Sequence, residues 1–593
     1  MIPLMETLDP SVNAYFNALL RETGPWPWHP APGHYAITHQ KTGEMLLIPC
    51  RFHSRGGRHL LGPDLWMDRG NGLGPISFLD AVEWSLTLPE LANQASLWER
   101  ENLLQRVRSS HDNLRQALAY RSSRQPHTDT APLAFIDSEQ ALVNGHSIHP
   151  CPKDRGNMTT EEATAFAPEY SGEFPLIWYS VARDQLQPHA AETISLADAA
   201  ESLLRHEPHA VQQAAEAARA DGHILIPCHP FQHRQWQAHP ELQALQSAGQ
   251  LRCLGMGISR WRATSSLRAI WAEDQDWMLK FSLSVRLTNS VRHLQPREAV
   301  RGPGLADLLK TSPARNWLDR HRHFHILNEP VTAAIRDRQG EPMAESTVVF
   351  RDNPFRDGAS HNCELLASLL QDAPETGLSR LGTCLRARNA SEADATDWFH
   401  AYLELAVKPL LDAQSNLGLL FGAHQQNLIL RLDEHFQPVA AWFRDCQGTG
   451  FSSLAHRRFG PGLAQSVQAG ENELPDTLGV RLFCYYLFIN STFNVITSLA
   501  AAGLCPEDRL WQQLRQWLRQ LREQQPADTS AFDYLLTSPC LYAKNNFLCS
   551  LRAVNENTLE DLESIYHPMA NPLLIDQPEN HKDRHDDDTL IAH

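Results

Sequence analysis

Apolar residues recur every three to four positions over Ser11–Glu22, Pro89–Arg121, Ser195–Asp221, Ala395–Gln414 and Arg509–Arg522, and this spacing predicts helices there. In the last of these, Leu510, Trp511, Leu514, Trp517, Leu518 and Leu521 share one face. Short apolar runs bounded by turn residues predict strands at Tyr35–Thr38, Met45–Pro49, Ile224–Cys228, Val331–Ile335, Ser346–Phe350, Leu428–Leu432 and Val439–Phe443. The residues from 231 to 352 therefore read as β-rich, and those from 360 onward as helix-rich. Asp352-Asn353-Pro354 marks a boundary between them. The most apolar long run, Leu482–Leu504, contains Asn490, Ser491, Thr492 and Asn494, which predicts a buried helix rather than a membrane span. His321–His325 reads as a loop or strand end, and the charged tail His581–His593 is expected to fray.

The chain is organised around Thr264–Arg292, TSSLRAIWAEDQDWMLKFSLSVRLTNSVR. Leu267–Trp271 and Trp277–Leu283 read as two strands joined by the turn Glu273-Asp274-Gln275-Asp276. Around them stand Ser266, Arg268, Lys280, Arg286, Thr288, Asn289 and Arg292. Fixed cations with short hydroxyl and amide donors are what a polyphosphate site needs. A half-solvated hairpin with a polar face is the plain alternative.

Charge sharpens that contrast. A chain of 593 residues has room for two to four domains. Its formal net charge of -17 argues against a general binder of nucleic acid or other polyanions, so any phosphate site must be local. The eleven Cys are scattered without a C-x-x-C, which fits neither a zinc ribbon nor a disulfide framework and suits a reducing cytoplasm. The first residues lack the basic start and apolar core of a secretory signal.

Further chemistry lies on both sides. Gly145–Lys153, GHSIHPCPK, puts His146, His149 and Lys153 in one Pro-fixed loop suited to an anion; with no acid or Cys ligand close by, a metal pair there is the weaker reading. His229 follows a strand and reads as a turn residue. Near the C-terminal end, His424-Gln425-Gln426-Asn427 leads into one strand of a hairpin, and the other ends in Arg444-Asp445-Cys446. Antiparallel pairing would bring Asn427 beside Asp445, two hard oxygen donors suited to Mg²⁺ with phosphate as co-ligand. A buried polar hairpin is the alternative there. Neither G-x-x-x-x-G-K-[ST] nor a G-x-G-x-x-G after a strand occurs, so P-loop, Rossmann and kinase glycine loops are not indicated. The residues thus point to an ATP-dependent transferase or ligase. A kinase-like phosphotransferase and a non-catalytic nucleotide-binding protein stay open as rivals.

Six segments together resemble the NRPS-independent siderophore synthetases, the IucA/IucC family. They are GHSIHPCPK at 145–153, ILIPCHPFQ at 224–232, TSSLRAI with KFSLSVRLTNSVR ending at Arg292, AHQQN at 423–427, RDCQG at 444–448, and KNNFLCSLRAVNENT at 544–558. The resemblance implies adenylation of a citrate carboxylate by ATP, release of pyrophosphate, and capture of the adenylate by an amine, hydroxylamine or alcohol. The motifs are most similar to the branch acting first on free citrate, of the aerobactin type, which joins citrate to N6-acetyl-N6-hydroxylysine. Carried onto matching positions, it implies that Ser266, Arg268 and Lys280 contact phosphates while Thr288 and Asn289 shape that site. Arg292 would face both the α-phosphate and the citrate carboxylate, and His424 with Gln426 would assist. Asn427 and Asp445 would hold Mg²⁺. His149 and Lys153 would lie at the site edge, and Lys544 in the citrate or nucleophile pocket. Gly422 stands where some members carry a Glu that binds the metal. The implied fold is α+β, a hand of thumb (1–144, mostly helical), fingers (145–355, with a central mixed or antiparallel sheet) and palm (356–593, helical, with the Asn427–Asp445 hairpin). A cytoplasmic homodimer, bound to neither nucleic acid nor membrane, completes the expectation.

Overall fold

The computed structural model describes residues 8–574, apart from 32, 124–129, 556–558 and 560. The tail 581–593 and the last three residues of the 544–558 motif lie outside the described residues.

The fold is α+β, with several sheets each covered by helices. The first helix, Pro10–Thr23, begins with Pro after an Asp9 cap whose side chain accepts from the Ser11 N–H. It packs against a six-stranded sheet built from residues 28–76 and against the long helix Leu97–Ser122. The expectation of a mostly helical first region thus needs a sheet added. Its strands are short, and two of them, Trp28–His29 and Leu60–Leu61, are too brief to leave a period in the sequence. Phe547 and Leu551, from the helix Asn546–Leu551, enter this N-terminal core, so the chain returns to its own beginning.

A seven-stranded sheet, antiparallel at every pairing, occupies the middle. Trp277–Phe281 lies at its centre, between Ala269–Trp271 and Val348–Asp352. The stretch read as one hairpin is in fact two. After Phe281 the chain leaves the sheet, and Leu283–Leu287 pairs with Ser290–Arg292 as a separate ribbon. Ser282 makes the break: its N–H donates to Thr347 while its hydroxyl accepts from the Leu294 N–H. The segment 231–352, read as β-rich, also carries short helices, several opened by proline, such as Pro230–Ala238 and Pro240–Ser247.

The C-terminal half is helical around one mixed four-stranded sheet. Leu428–Leu432 and Pro438–Phe443 form the antiparallel hairpin, with Leu428 opposite Phe443. Phe324–Ile326 joins it in parallel, and Cys363–Leu365 closes the other side. One strand from before residue 355, Phe324–Ile326, therefore belongs to the sheet of the region after it. A small apolar core containing Phe135, Trp271, Met278, Leu365, Ile429 and Trp442 joins the two sheets. The apolar run near 490 is the helix Asp476–Ala501, and 89% of its most apolar window is buried inside the molecule. Its middle, Tyr485–Thr492, is a π-helical turn.

Candidate functional site

A cavity of about 420 Å³ opens between the two sheets and the N-terminal region. Of the candidates named from the sequence, His149, Lys153, Ser266, Arg268, Lys280, Thr288, Asn289, Arg292, His424, Gln426, Asn427, Asp445 and Lys544 line it, whereas Arg286 does not. Residues more than 300 positions apart in sequence thus face one space.

Lys280 sits on the central strand, 3% exposed, with Ala269 and Val349 as its cross-strand partners. Arg351, paired with Met278, is its diagonal neighbour on the same face. The Lys280 ammonium donates to Asp445 and to Gln447 Oε1 (2.6 Å), and lies 3.6 Å from Glu329 Oε1. Glu329 is fully buried and also takes Arg351 at 3.0 Å. Two cations share two carboxylates here. Burial pushes the Asp445 carboxyl up, but Lys280, Arg351 and Arg268 outweigh burial and hold it well below the ordinary carboxylate range. The Arg268 guanidinium itself makes no bond to a described side chain and is left for a ligand.

The hairpin places Asn427 and Asp445 as its sequence predicts. The Arg444 N–H donates to the Asn427 carbonyl at 3.1 Å, one step beyond the Leu428–Phe443 pair. The Asn427 amide nitrogen donates to the Gly422 carbonyl (2.9 Å) and faces His424 Nε2 at 3.2 Å. Its Oδ1 is therefore the oxygen left for a ligand, and His424 Nε2 acts as acceptor, leaving Nδ1–H as that ring's donor. Burial, opposed by Asp445 and reinforced by Arg444, Lys544 and Arg292, lowers the His424 pKa to about 4, so the ring is neutral near pH 7. No group of three or more His, Cys, Asp or Glu suited to a metal occurs among the described residues. Asn427 Oδ1 and one Asp445 oxygen fit Mg²⁺ only as a partial set, completed by phosphate and water, as that ion commonly accepts. A Cβ on Gly422 would meet only the Gly448 carbonyl, at 3.4 Å, so the position opposite them is roomy.

The second ribbon carries Arg292. Its guanidinium donates to Thr288 Oγ1 at 2.8 Å, and Arg106 fixes the Thr288 carbonyl at 2.5 Å. Asn289 accepts from Ser550 Oγ at 2.7 Å. His149 is 2% exposed; its Nδ1 accepts from the Cys151 N–H, its Nε2 faces Ser550 at 3.4 Å, and burial holds the ring neutral. It lines the cavity as a buried brace for Asn289 rather than as an open edge. Lys153 pairs with Glu169 at 3.3 Å, and burial lowers its pKa against the pull of that carboxylate. Gln426 donates to Ser265 Oγ at 3.2 Å, and Ser266 Oγ accepts from the Ala269 N–H. Lys544 ends the strand Cys540–Lys544, just before the helix that enters the N-terminal core.

Sequence reading missed the ion pairs beneath these groups. Glu139, fully buried, takes Arg444 through two bonds (2.6 and 3.1 Å) and accepts the Ser265 N–H at 2.9 Å. It thereby ties the serine turn to the RDCQG segment. Glu139 lies in the unremarkable run FIDSEQA and Glu329 in LNEP, and neither spacing nor neighbours mark them. Arg444, inside a quoted motif, was the available signal.

Fold and cavity together describe a cleft walled by two sheets and lined by the fixed cations Arg268, Lys280 and Arg292. The comparisons give its family. Residues 134–371 match the IucA / IucC family, and residues 396–561 match the family described as ferric iron reductase FhuF-like transporter. The chain is 33% identical to N(2)-citryl-N(6)-acetyl-N(6)-hydroxylysine synthase of Vibrio mimicus, over 96% of each chain. To the Escherichia coli enzyme of the same name it is 32% identical, over 95% of this chain and 97% of that one. ATP-bound aerobactin synthetase IucA from a hypervirulent pathotype of Klebsiella pneumoniae superposes with a TM-score of 0.86 at 30% identity, covering 96% of this chain and 100% of that one. The protein belongs to the IucA/IucC family.

Proposed function

We propose that the protein is an ATP-dependent ligase of siderophore biosynthesis that adenylates citrate and joins it to an amine, N6-acetyl-N6-hydroxylysine being the first candidate. The observation that carries this reading is local. In a chain of net charge -17, Arg268, Lys280, Arg292 and Lys544 converge on one cavity beside Asn427 and Asp445. Citrate and ATP are both polyanions, and bringing their oxygens together needs that convergence. The names of the relatives, synthases that use citrate, and the ATP held by the Klebsiella neighbour support it over a kinase-like or non-catalytic role.

Ser266, Arg268 and Lys280 bind the phosphates, with Thr288 and Asn289 shaping that end. Arg292 neutralises the citrate carboxylate and the α-phosphate as the carboxylate oxygen attacks phosphorus and pyrophosphate leaves. Neutral His424 donates from Nδ1 to the same oxygens, with Gln426 holding the serine turn. Asn427 and Asp445 would hold Mg²⁺, which when bound spreads phosphate charge. Lys544 binds citrate on the far side, His149 braces Asn289, and Lys153 lies at the rim. The acyl-adenylate then needs mainly a positioned free amine. The hand-like arrangement, a cytoplasmic location and a homodimer remain part of this proposal.

Citrate-dependent exchange of labelled pyrophosphate into ATP tests the first step. Arg292→Ala and His424→Ala are expected to lower it by about 10²–10³-fold each, with circular dichroism unchanged. Near-normal exchange in both variants would overturn the assignment.

A further inference from the structure

The same cavity carries a carboxylate that the assignments above do not use. Where the first helix meets residues 142–144 and 370–372, the carboxylate of Asp372 stands among Asn13, Asn144 and Gln371, with Leu8 and Leu142 as apolar wall. Asp372 is 6% exposed. Arg58 donates to its Oδ2, and no described residue bonds its Oδ1. Arg58 is 2% exposed and is itself fixed, donating also to the Leu370 carbonyl at 3.1 Å and reaching Ser498 Oγ at 3.4 Å. Asn144 locks the loop from the other side: its Nδ2 donates to the Asp372 carbonyl at 2.8 Å and its backbone N–H to Gln371 Oε1 at 2.7 Å. The carboxylate is thus held by its surroundings and cannot swing away as a surface side chain would.

Such a group serves neither citrate nor ATP, since a carboxylate repels both. It complements a cation with an aliphatic body. We propose that Asp372 is the amine-binding residue of the second half-reaction, and that the acceptor is an aliphatic primary amine received as its ammonium form. This rests on the adenylation reading above. Asp372 Oδ1 takes one proton from the ammonium group, and the freed nitrogen lone pair forms the C–N bond to the acyl carbon. The bond from acyl carbon to the phosphate oxygen breaks, and AMP leaves with that electron pair. The second nitrogen proton passes to the departing phosphate, and Asp372 releases its own to solvent. No oxidant or further reactant is needed.

Hydroxylamine separates this role from a structural one, because it is largely uncharged near neutral pH and needs no base to free its nitrogen. Asp372→Asn is expected to keep citrate-dependent pyrophosphate exchange and citryl-hydroxamate formation. Its kcat/KM for N6-acetyl-N6-hydroxylysine, or for lysine or 1,3-diaminopropane in its place, should fall by about 100-fold or more. Equal loss with hydroxylamine and amine in a folded variant, or no loss with any amine, overturns the proposal. So does wild-type protein that forms the hydroxamate but accepts no charged amine. If Asp372→Asn does not fold, Asp372→Glu decides, since it keeps the pairing with Arg58: a raised KM for amine alone supports the role, and an unchanged one refutes it. Absence of citrate-dependent exchange in the wild type would instead strike the adenylation reading itself.

Discussion

Thr288 holds φ at 53°, in the left-handed region, at the first central position of the turn between Leu287 and Ser290. A β-branched residue is strained there and glycine is favoured. Leu267 (φ 66°) and Asp445 (φ 80°) share the same backbone region, and all three line the cavity. At Thr288 the reason is on the same side chain, because its hydroxyl orients Arg292. Thr288→Gly is therefore expected to raise stability by about 1 kcal/mol while lowering citrate-dependent exchange. Thermal melts and exchange rates check the pair; activity retained with higher stability would separate the hydroxyl from function. The groups that face ligand were legible because their types are unusual for their setting: a Lys inside an apolar strand, and an Asn and an Asp bracketing a hairpin. Glu139 and Glu329 were not, because a buried carboxylate is recognised only by its distant partner.

Among the elements, the serine turn 264–267 and the hairpin end 426–447 belong to different sheets and are joined through Glu139 and Arg444. Breaking a buried ion pair by removing one partner leaves the other charge uncompensated. Glu139→Ala is expected to cost about 3–5 kcal/mol of stability, read by denaturant titration, and to raise KM for ATP, because Ser266 and Gln426 then lose their common anchor. Stability lost with KM unchanged would make the pair purely structural. Long periodic helices and the 428–443 hairpin could be read from the chain, since alternation and helical spacing persist over enough residues. The separate Leu283–Arg292 ribbon could not, because Leu283 continues the apolar run after Phe281 and only tertiary bonds of Ser282 end the strand. The strand Phe324–Ile326 was legible only as the loop or strand end at His321–His325, and its parallel pairing was hidden, since its partner lies more than 100 residues away.

At the scale of the whole molecule, burial lowers five histidines furthest among the described residues. His229 is lowered to about 3, His424 and His567 to about 4, and His59 and His149 well below 6.5. Each titrates near 6.5 once unfolded, so below that pH the unfolded chain binds more protons than the folded one. The contribution of these five groups to stability is thus expected to be full above about pH 6.5 and to drain away as pH falls toward 4. His229→Asn, which keeps an acceptor at the start of the helix Pro230–Ala238, should flatten that slope by about one proton. Denaturant titrations at several pH values measure it, and an unaltered slope would refute the assignment. The central claim concerns which bond of ATP is broken. Purified protein would be incubated with ATP, Mg²⁺, citrate and hydroxylamine, and the nucleotides and acyl product resolved by chromatography. The account predicts AMP, pyrophosphate and citryl-hydroxamate in equal amounts, and only when citrate is present. ADP and phosphate, or AMP formed without citrate, would contradict it.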